Sequence, residues 1–205
     1  MIRLAIAADL SALPAIEVAA GHPFRALGMT AVADDAPPTI AGLERYRRAG
    51  RLWVATAASP ASSERKRSVD EIDRMVHSLA RSQVGRSDGT AVGYACAEVV
   101  DGGAHLEQVS VDPRWSGRRL GAALIEAVAA WAVDRGDRRL TLTTFVDVPW
   151  NAPYYRRLGF EPIPDSDLGP QLRAVRAAEA AHGLDAWPRI AMQRPLNPSH
   201  LTRTP

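Results

Sequence analysis

Cysteine is almost absent from this 205-residue chain: Cys96 is the only one. A single chain of this kind builds no disulfide framework, zinc ribbon or dithiol redox pair. Lysine is equally scarce, Lys66 being the only one among 25 basic residues, so any anion site must be made of arginine forks and backbone amides. Aromatic residues are 6% of the chain, and no apolar run approaches the ~18 residues of a membrane-spanning helix. Met1-Ile2-Arg3-Leu4 opens a short apolar stretch that breaks at Asp9, unlike a signal peptide or a lipidation motif. The five histidines show no close ligand spacing, so no metal is expected. A net charge of +2 is too balanced to point to nucleic acid. These absences leave a cytoplasmic globular protein without a metal, a membrane or a nucleic-acid partner as the expectation.

What remains is ordinary for a folded domain: 46% hydrophobic and 23% charged residues. The length suits one domain. We expect it over 1–196, with a polar insertion at 59–90 and a flexible tail at 197–205. Within the insertion, Val69, Ile72, Met75, Val76 and Leu79 have helical spacing, which reads as one short helix in a long loop or lid. Alternation predicts strands near 2–6, 52–56, 91–100, 105–111, 139–146 and 189–194. Apolar stripes predict helices near 10–20, 39–49, 120–134, 153–158 and 171–182, with Asp9 capping the first and Gly159 closing the fourth. Asp101-Gly102-Gly103 between two apolar runs predicts a hairpin turn.

The most informative stretch runs from Val109-Ser110-Val111 through Asp112-Pro113-Arg114-Trp115 to Ser116-Gly117-Arg118-Arg119-Leu120-Gly121-Ala122. A strand ends, a basic glycine-containing loop turns, and a helix begins. Free amides and the positive end of the helix dipole converge there, which suits a pyrophosphate. Neither a Walker A loop nor a dinucleotide-binding G-x-G-x-x-G is present.

This loop resembles the acetyl-CoA-binding motif of the GCN5-related N-acetyltransferases (GNAT), Gln/Arg-x-x-Gly-x-Gly/Ala. Gly121 matches its last position, while Ser116 and Arg119 depart from its first and fourth. Tyr154-Tyr155-Arg156-Arg157-Leu158-Gly159-Phe160 resembles the family's Tyr-x-x-Leu-Gly-Phe signature, and Leu140–Phe145 its fifth strand. The resemblance is strong over about 92–160. It implies an α/β (α+β) fold with a central mixed, mostly antiparallel sheet flanked by helices. It also implies direct acetyl transfer from acetyl-CoA, as cosubstrate, to a primary amine of a small molecule or peptide, in a ternary complex. The alternative is an acyl-CoA-binding sensor or interaction module of the same fold with little transfer activity. A homodimer is compatible with either.

The residues expected at the cofactor are Val109, Ser110, Val111, Ser116, Gly117, Arg118, Arg119, Leu120, Gly121 and Ala122. Tyr155, four residues before Gly159, sits where the family's general acid sits. For the base, strand parity places His105, Glu107, Val109 and Val111 on one face. Glu107 is the first choice, with His105 and Asp147 as alternatives that could instead bind the substrate. Trp150 and Phe145 are candidates for the acceptor wall. Cys96, in an apolar strand without a partner histidine, reads as an inert buried thiol.

Overall fold

The computed structural model describes residues 1–57 and 89–196. The expected insertion helix and C-terminal tail lie outside the described residues. Among the described residues seven strands form one sheet: β1 (Ile2–Leu4), β2 (Leu52–Ala57), β3 (Thr90–Val100), β4 (Gly103–Val111), β5 (Arg139–Phe145), β6 (Glu161–Pro162) and β7 (Arg189–Pro195). Their spatial order is β1-β2-β3-β4-β5-β7-β6. Every pairing is antiparallel except β4 with β5, so the sheet is mixed and mostly antiparallel as expected. The helices of the described residues are α1 (Leu13–Gly21), α2 (Thr30–Ala33), α3 (Ile40–Arg48), α4 (Leu120–Asp134), α5 (Ala152–Arg157) and α6 (Pro170–Ala181). Between the described elements run short 3-10 turns, one of which, Ala7–Ala12, takes the start of the helix expected from residue 10.

The apolar stripe of α4 explains one layer. Leu124, Val128 and Ala132 recur at four-residue spacing, with Ile125 and Ala129 beside them, and all five are buried against Ala95, Leu106, Leu140, Leu142 and Met192 of the sheet. Burying each large aliphatic side chain is worth about 1.5–3 kcal/mol. On the opposite face, Leu13 and Ile16 of α1 and Leu43 of α3 cover Leu52, Val54, Tyr94 and Cys96. Asp9 departs from expectation. Its carboxylate accepts the Ile6 amide at 2.8 Å and pairs with Arg3 at 2.7 Å, closing a 3-10 turn ahead of α1 rather than capping the helix.

Two local features open the sheet. Cys96 pairs with Gln108 but the next residue, Ala97, pairs with Leu106, so Glu107 is the extra residue of a β-bulge. Beyond that bulge β4 and β5 separate. Their only partners are Ala104 with Leu140 and His105 with Thr141. From Glu107 to Val111 and from Leu142 to Phe145 the facing edges carry no ladder between them.

Candidate active site

The gap between β4 and β5 widens into a cleft of about 1090 Å³. One end meets the loop before α4. Gly117 has φ 75° with nothing within 4 Å of where a Cβ would stand. Arg119 is left-handed too, at φ 59°, and immediately precedes the helix. Arginine thus takes, at some strain, a conformation that glycine adopts freely. The first in-helix hydrogen bond is given by the Ala123 amide to the Arg119 carbonyl, so the amides of Leu120 to Ala122 precede the ladder. Ser116, Gly117, Arg119, Leu120, Gly121 and Ala122 line the cleft. Arg118 turns away, its guanidinium 4.6 Å from the Trp115 ring centre. The Tyr154 hydroxyl stands at this helix start: it takes a hydrogen bond from the Ala122 backbone, and a Cβ on Gly121 would lie 3.3 Å from it.

Val109 and Val111 border the cleft from β4 and pack toward α4. The Ser110 side chain points the other way. Its hydroxyl donates to Glu17 of α1 at 2.6 Å and accepts from Gln108 at 2.9 Å. Glu17 also accepts from the Tyr94 hydroxyl at 2.5 Å and from Gln108 at 2.8 Å. This carboxylate is therefore held by three neutral donors while lining the cleft. Its sequence signal was a charged residue within the apolar spacing of α1.

Tyr155 lies in the cleft wall, edge-on to Tyr154 and Phe160 at 5.8 and 5.7 Å. Burial, more than its neighbour Tyr154, pushes its phenol pKa up against the opposing charge of Arg189, so the hydroxyl keeps its proton at neutral pH. Glu107 stands across the cleft at the bulge with 43% of its side chain accessible. The concave wall still displaces water from its carboxylate, and burial followed by the charges of Glu98 and Glu179 raises its pKa.

His105 does not share that surface. The bulge at Glu107 reverses the alternation relative to Val109 and Val111, so His105 lies on the opposite face of the strand from them and is 1% exposed. Its Nδ1 lies 2.9 Å from Thr141 Oγ1, and it cannot touch an acceptor in the cleft. The doublet Glu107-Gln108, which interrupts the apolar alternation, was the available warning. Asp147 also departs from expectation. Its neighbour Val148 is buried with Met29 and Phe145, which leaves Asp147 exposed and outside the cleft lining. Trp150 does line the cleft, edge-on to Phe24 at 5.3 Å, with Phe24 in turn 5.9 Å from Phe145.

A further wall had no signal in the sequence. Glu179 of α6 accepts from Arg189 at 2.7 Å, from Arg176 at 2.5 Å and from the Thr143 hydroxyl. Arg189 also lies over the Phe145 ring at 4.4 Å. Among the described residues no cluster of three potential metal-ligating acids, histidines or cysteines occurs.

Residues 46–160 match the family described as Acetyltransferase (GNAT) family. An acetyltransferase of the GNAT family from Staphylococcus aureus Mu50 superposes with a TM-score of 0.62 at 14% identity, over 96% of this chain and 99% of that one. The ribosomal-protein-S18-alanine N-acetyltransferase from Escherichia coli superposes at 0.55 with 17% identity, over 100% and 98% of the two chains. The N-acetylglutamate synthase of Neisseria gonorrhoeae, solved with coenzyme A and N-acetyl-glutamate, gives 0.58 at 13% identity over 96% of this chain. This chain spans about a third of that synthase, 35% of its length. At these identities the likeness carries the fold, and the match over more than half of the sequence carries the rest: the chain belongs to the GNAT acetyltransferase family.

Proposed function

We propose that the protein transfers the acetyl group of acetyl-CoA to a primary amine by direct attack. The observation that carries this reading is the divergence of β4 from β5, which opens one cleft onto three different chemistries. At one end lie the positive-φ turn and the free amides of α4, with Arg119 and Arg157 lining the same region. These residues fit a pyrophosphate: the left-handed residues Gly117 and Arg119 shape the turn, the amides at the start of α4 are free of the helix ladder, and the arginines add charge. The pantetheine arm would lie along the unpaired β4 edge, where a backbone amide between Val109 and Val111 is available to the thioester oxygen. Bound there, acetyl-CoA supplies an activated acyl group.

The remaining roles belong to side chains. Tyr155, neutral because of its burial, donates a proton to the departing thiolate. Glu107, whose raised pKa brings it closer to the working pH, accepts the proton that the arriving ammonium must lose. Glu17 and Glu107 make the acceptor side acidic, while Phe24 and Trp150 offer it an apolar wall. The cation on that wall, Arg189, is tied to Glu179. This balance favours an amine with an apolar body and disfavours an acidic acceptor. The αL backbone of Arg119 supports transfer over a transfer-deficient module, because the loop makes its turn without glycine at that position.

The test is thiol release from acetyl-CoA with a panel of amines and peptide amines, using wild type, Tyr155→Phe and Glu107→Gln. General acid–base groups contribute about 10²–10⁴-fold. Tyr155→Phe should lose turnover in that range with acetyl-CoA affinity retained. Glu107→Gln should lose turnover most near neutral pH and recover as pH rises, because more amine arrives neutral. Wild-type rates in both variants would refute the assignments, and no release with any amine would refute the transferase reading.

A further inference from the structure

His105 lies directly beneath the bulge that lifts Glu107 into the cleft. Thr141 Oγ1 has one proton, and the Ala104 carbonyl stands at 3.2 Å to take it. With the proton given there, Oγ1 offers His105 only a lone pair, and Nδ1, at 2.9 Å, is the donor. A neutral ring with its proton on Nδ1 carries its lone pair on Nε2. That atom lies 3.9 Å from Glu107 Oε2. The ring is fixed by its surroundings, whereas the Glu107 side chain is partly exposed and free to close the distance.

We propose that His105 is a positioning residue for Glu107: held by Thr141 as the Nδ1–H tautomer, it presents Nε2 as an acceptor for the proton that Glu107 takes from the substrate ammonium. The proposal rests on the reading of Glu107 as the base. In the step, an N–H bond of the ammonium breaks and an O–H bond forms on Glu107. The new carboxyl donates to Nε2, and the proton later leaves through the open cleft to solvent. His105 itself gains no proton: burial lowers its pKa to about 4 against the opposing charges of Glu179 and Glu98. The arrangement favours protonated Glu107 and so strengthens it as a base.

Other groups face this pair and are included in the expectation. Glu98 of β3 lies directly across from His105 and is paired with Arg51 at 2.6 Å. Glu179 of α6 is held by Arg176 and Arg189. Tyr46 of α3 and Cys96 of β3 stand within electrostatic reach of Glu107, both as protonated groups whose pKa burial raises. None of these changes charge when Thr141 is altered.

The experiment needs no acceptor substrate. In protein labelled with ¹⁵N-histidine and ¹³C-carboxyl glutamate, His105 should appear as the neutral Nδ1–H tautomer at pH 7. The Glu107 resonance, identified by its loss in Glu107→Gln, should titrate above the ordinary range. Thr141→Val removes the acceptor, frees the ring to move its proton to Nε2, and turns that nitrogen into a donor to the carboxylate. The Glu107 pKa should then fall by about one unit. Thr141→Ser, which keeps the hydroxyl, should restore it. An Nε2–H tautomer in wild type, or an unmoved Glu107 titration in a folded Thr141→Val protein, overturns the proposal. Should Thr141→Val fail to fold, the wild-type tautomer alone decides. If the His105–Glu107 coupling is found but Glu107→Gln turns over normally with the amine panel, the reading of Glu107 as base fails instead.

Discussion

The β3–β4 hairpin turn does more than reverse the chain. Asp101 and Gly102 both have positive φ, 50° and 77°, as a tight two-residue hairpin requires. The Asp101 carboxylate reaches the start of α6, 70 residues away. Oδ1 accepts from the Gln171 amide at 2.9 Å and Oδ2 from the Leu172 amide at 3.1 Å. The Asp101 amide donates back to the Gln171 side chain at 2.5 Å. Approach is so close that a Cβ on Gly169 would stand 2.2 Å from Oδ2. Helix caps are typically worth about 1 kcal/mol, within a range of about 0.5–2. Because the carboxylate is exposed, water replaces part of what is lost, so we set the cap at about 1–1.5 kcal/mol. Left-handed backbone costs an ordinary residue a further ~1–2 kcal/mol, but glycine nothing and asparagine little. The melting temperatures should therefore fall in the order wild type, Asp101→Asn, Asp101→Gly, Asp101→Ala. For a chain of this size each kcal/mol is worth about 2–4 °C. Asp101→Gly should thus lose about 2–6 °C, and Asp101→Ala distinctly more. Thermal melts by circular dichroism at low and high salt provide the assay, and the gap between wild type and Asp101→Asn should narrow with salt as the charge–dipole attraction is screened. An Asp101→Gly protein as stable as wild type would refute the cap. An Asp101→Ala protein no worse than Asp101→Gly would refute the strain argument.

Three further outcomes are expected. Arg119→Gly should raise the melting temperature by about 1–4 °C, since relief of left-handed strain exceeds the added unfolded-state entropy of glycine; a lower value argues against the loop conformation. Gly121→Glu should displace the Tyr154 hydroxyl and place a negative charge at the start of α4; calorimetry should show at least about a tenfold loss of acetyl-CoA affinity in the folded variant, and unchanged affinity would move the cofactor elsewhere. Burial works to raise the Glu179 pKa, but the hydrogen bonds from Arg189 and Thr143 and the nearby guanidinium charges hold it below the ordinary value. Its stabilisation is therefore present above the unfolded carboxylate pKa and lost as pH falls through the folded one, so wild type should lose its stability advantage over Glu179→Gln as melts are taken to acid pH; a constant difference would refute the pairing.

Much of the architecture was legible because it is written in local patterns. The four-residue recurrence of Leu120, Leu124 and Val128 located α4, and its bounds agree with the structure. The dipeptide Asp101-Gly102 located the hairpin, since few residues tolerate two consecutive positive φ angles. The order of strand, basic turn and helix over 109–122, followed by the Tyr154–Phe160 signature, pointed to the family on chemistry that depends on neighbours in the chain. What the sequence left open depends on contacts between distant segments. Period-two alternation put His105 on the face of Val109 and Val111 because it assumes an unbroken ladder, whereas one extra residue opposite Cys96–Ala97 set it on the other face, in the interior against Thr141. Asp101 carried a turn signal but no trace of its bond to Gln171 and Leu172. Glu179 and Arg189 lie on a surface-like helix and a strand end, and became a half-buried wall of the cleft only when α6 folded across β5 and β7. Propensity and periodicity act within a few residues and so set the elements; the register of β4 and the docking of α1 and α6 bring together side chains up to 93 residues apart, as in Glu17 with Ser110, and these contacts give the cleft its charge.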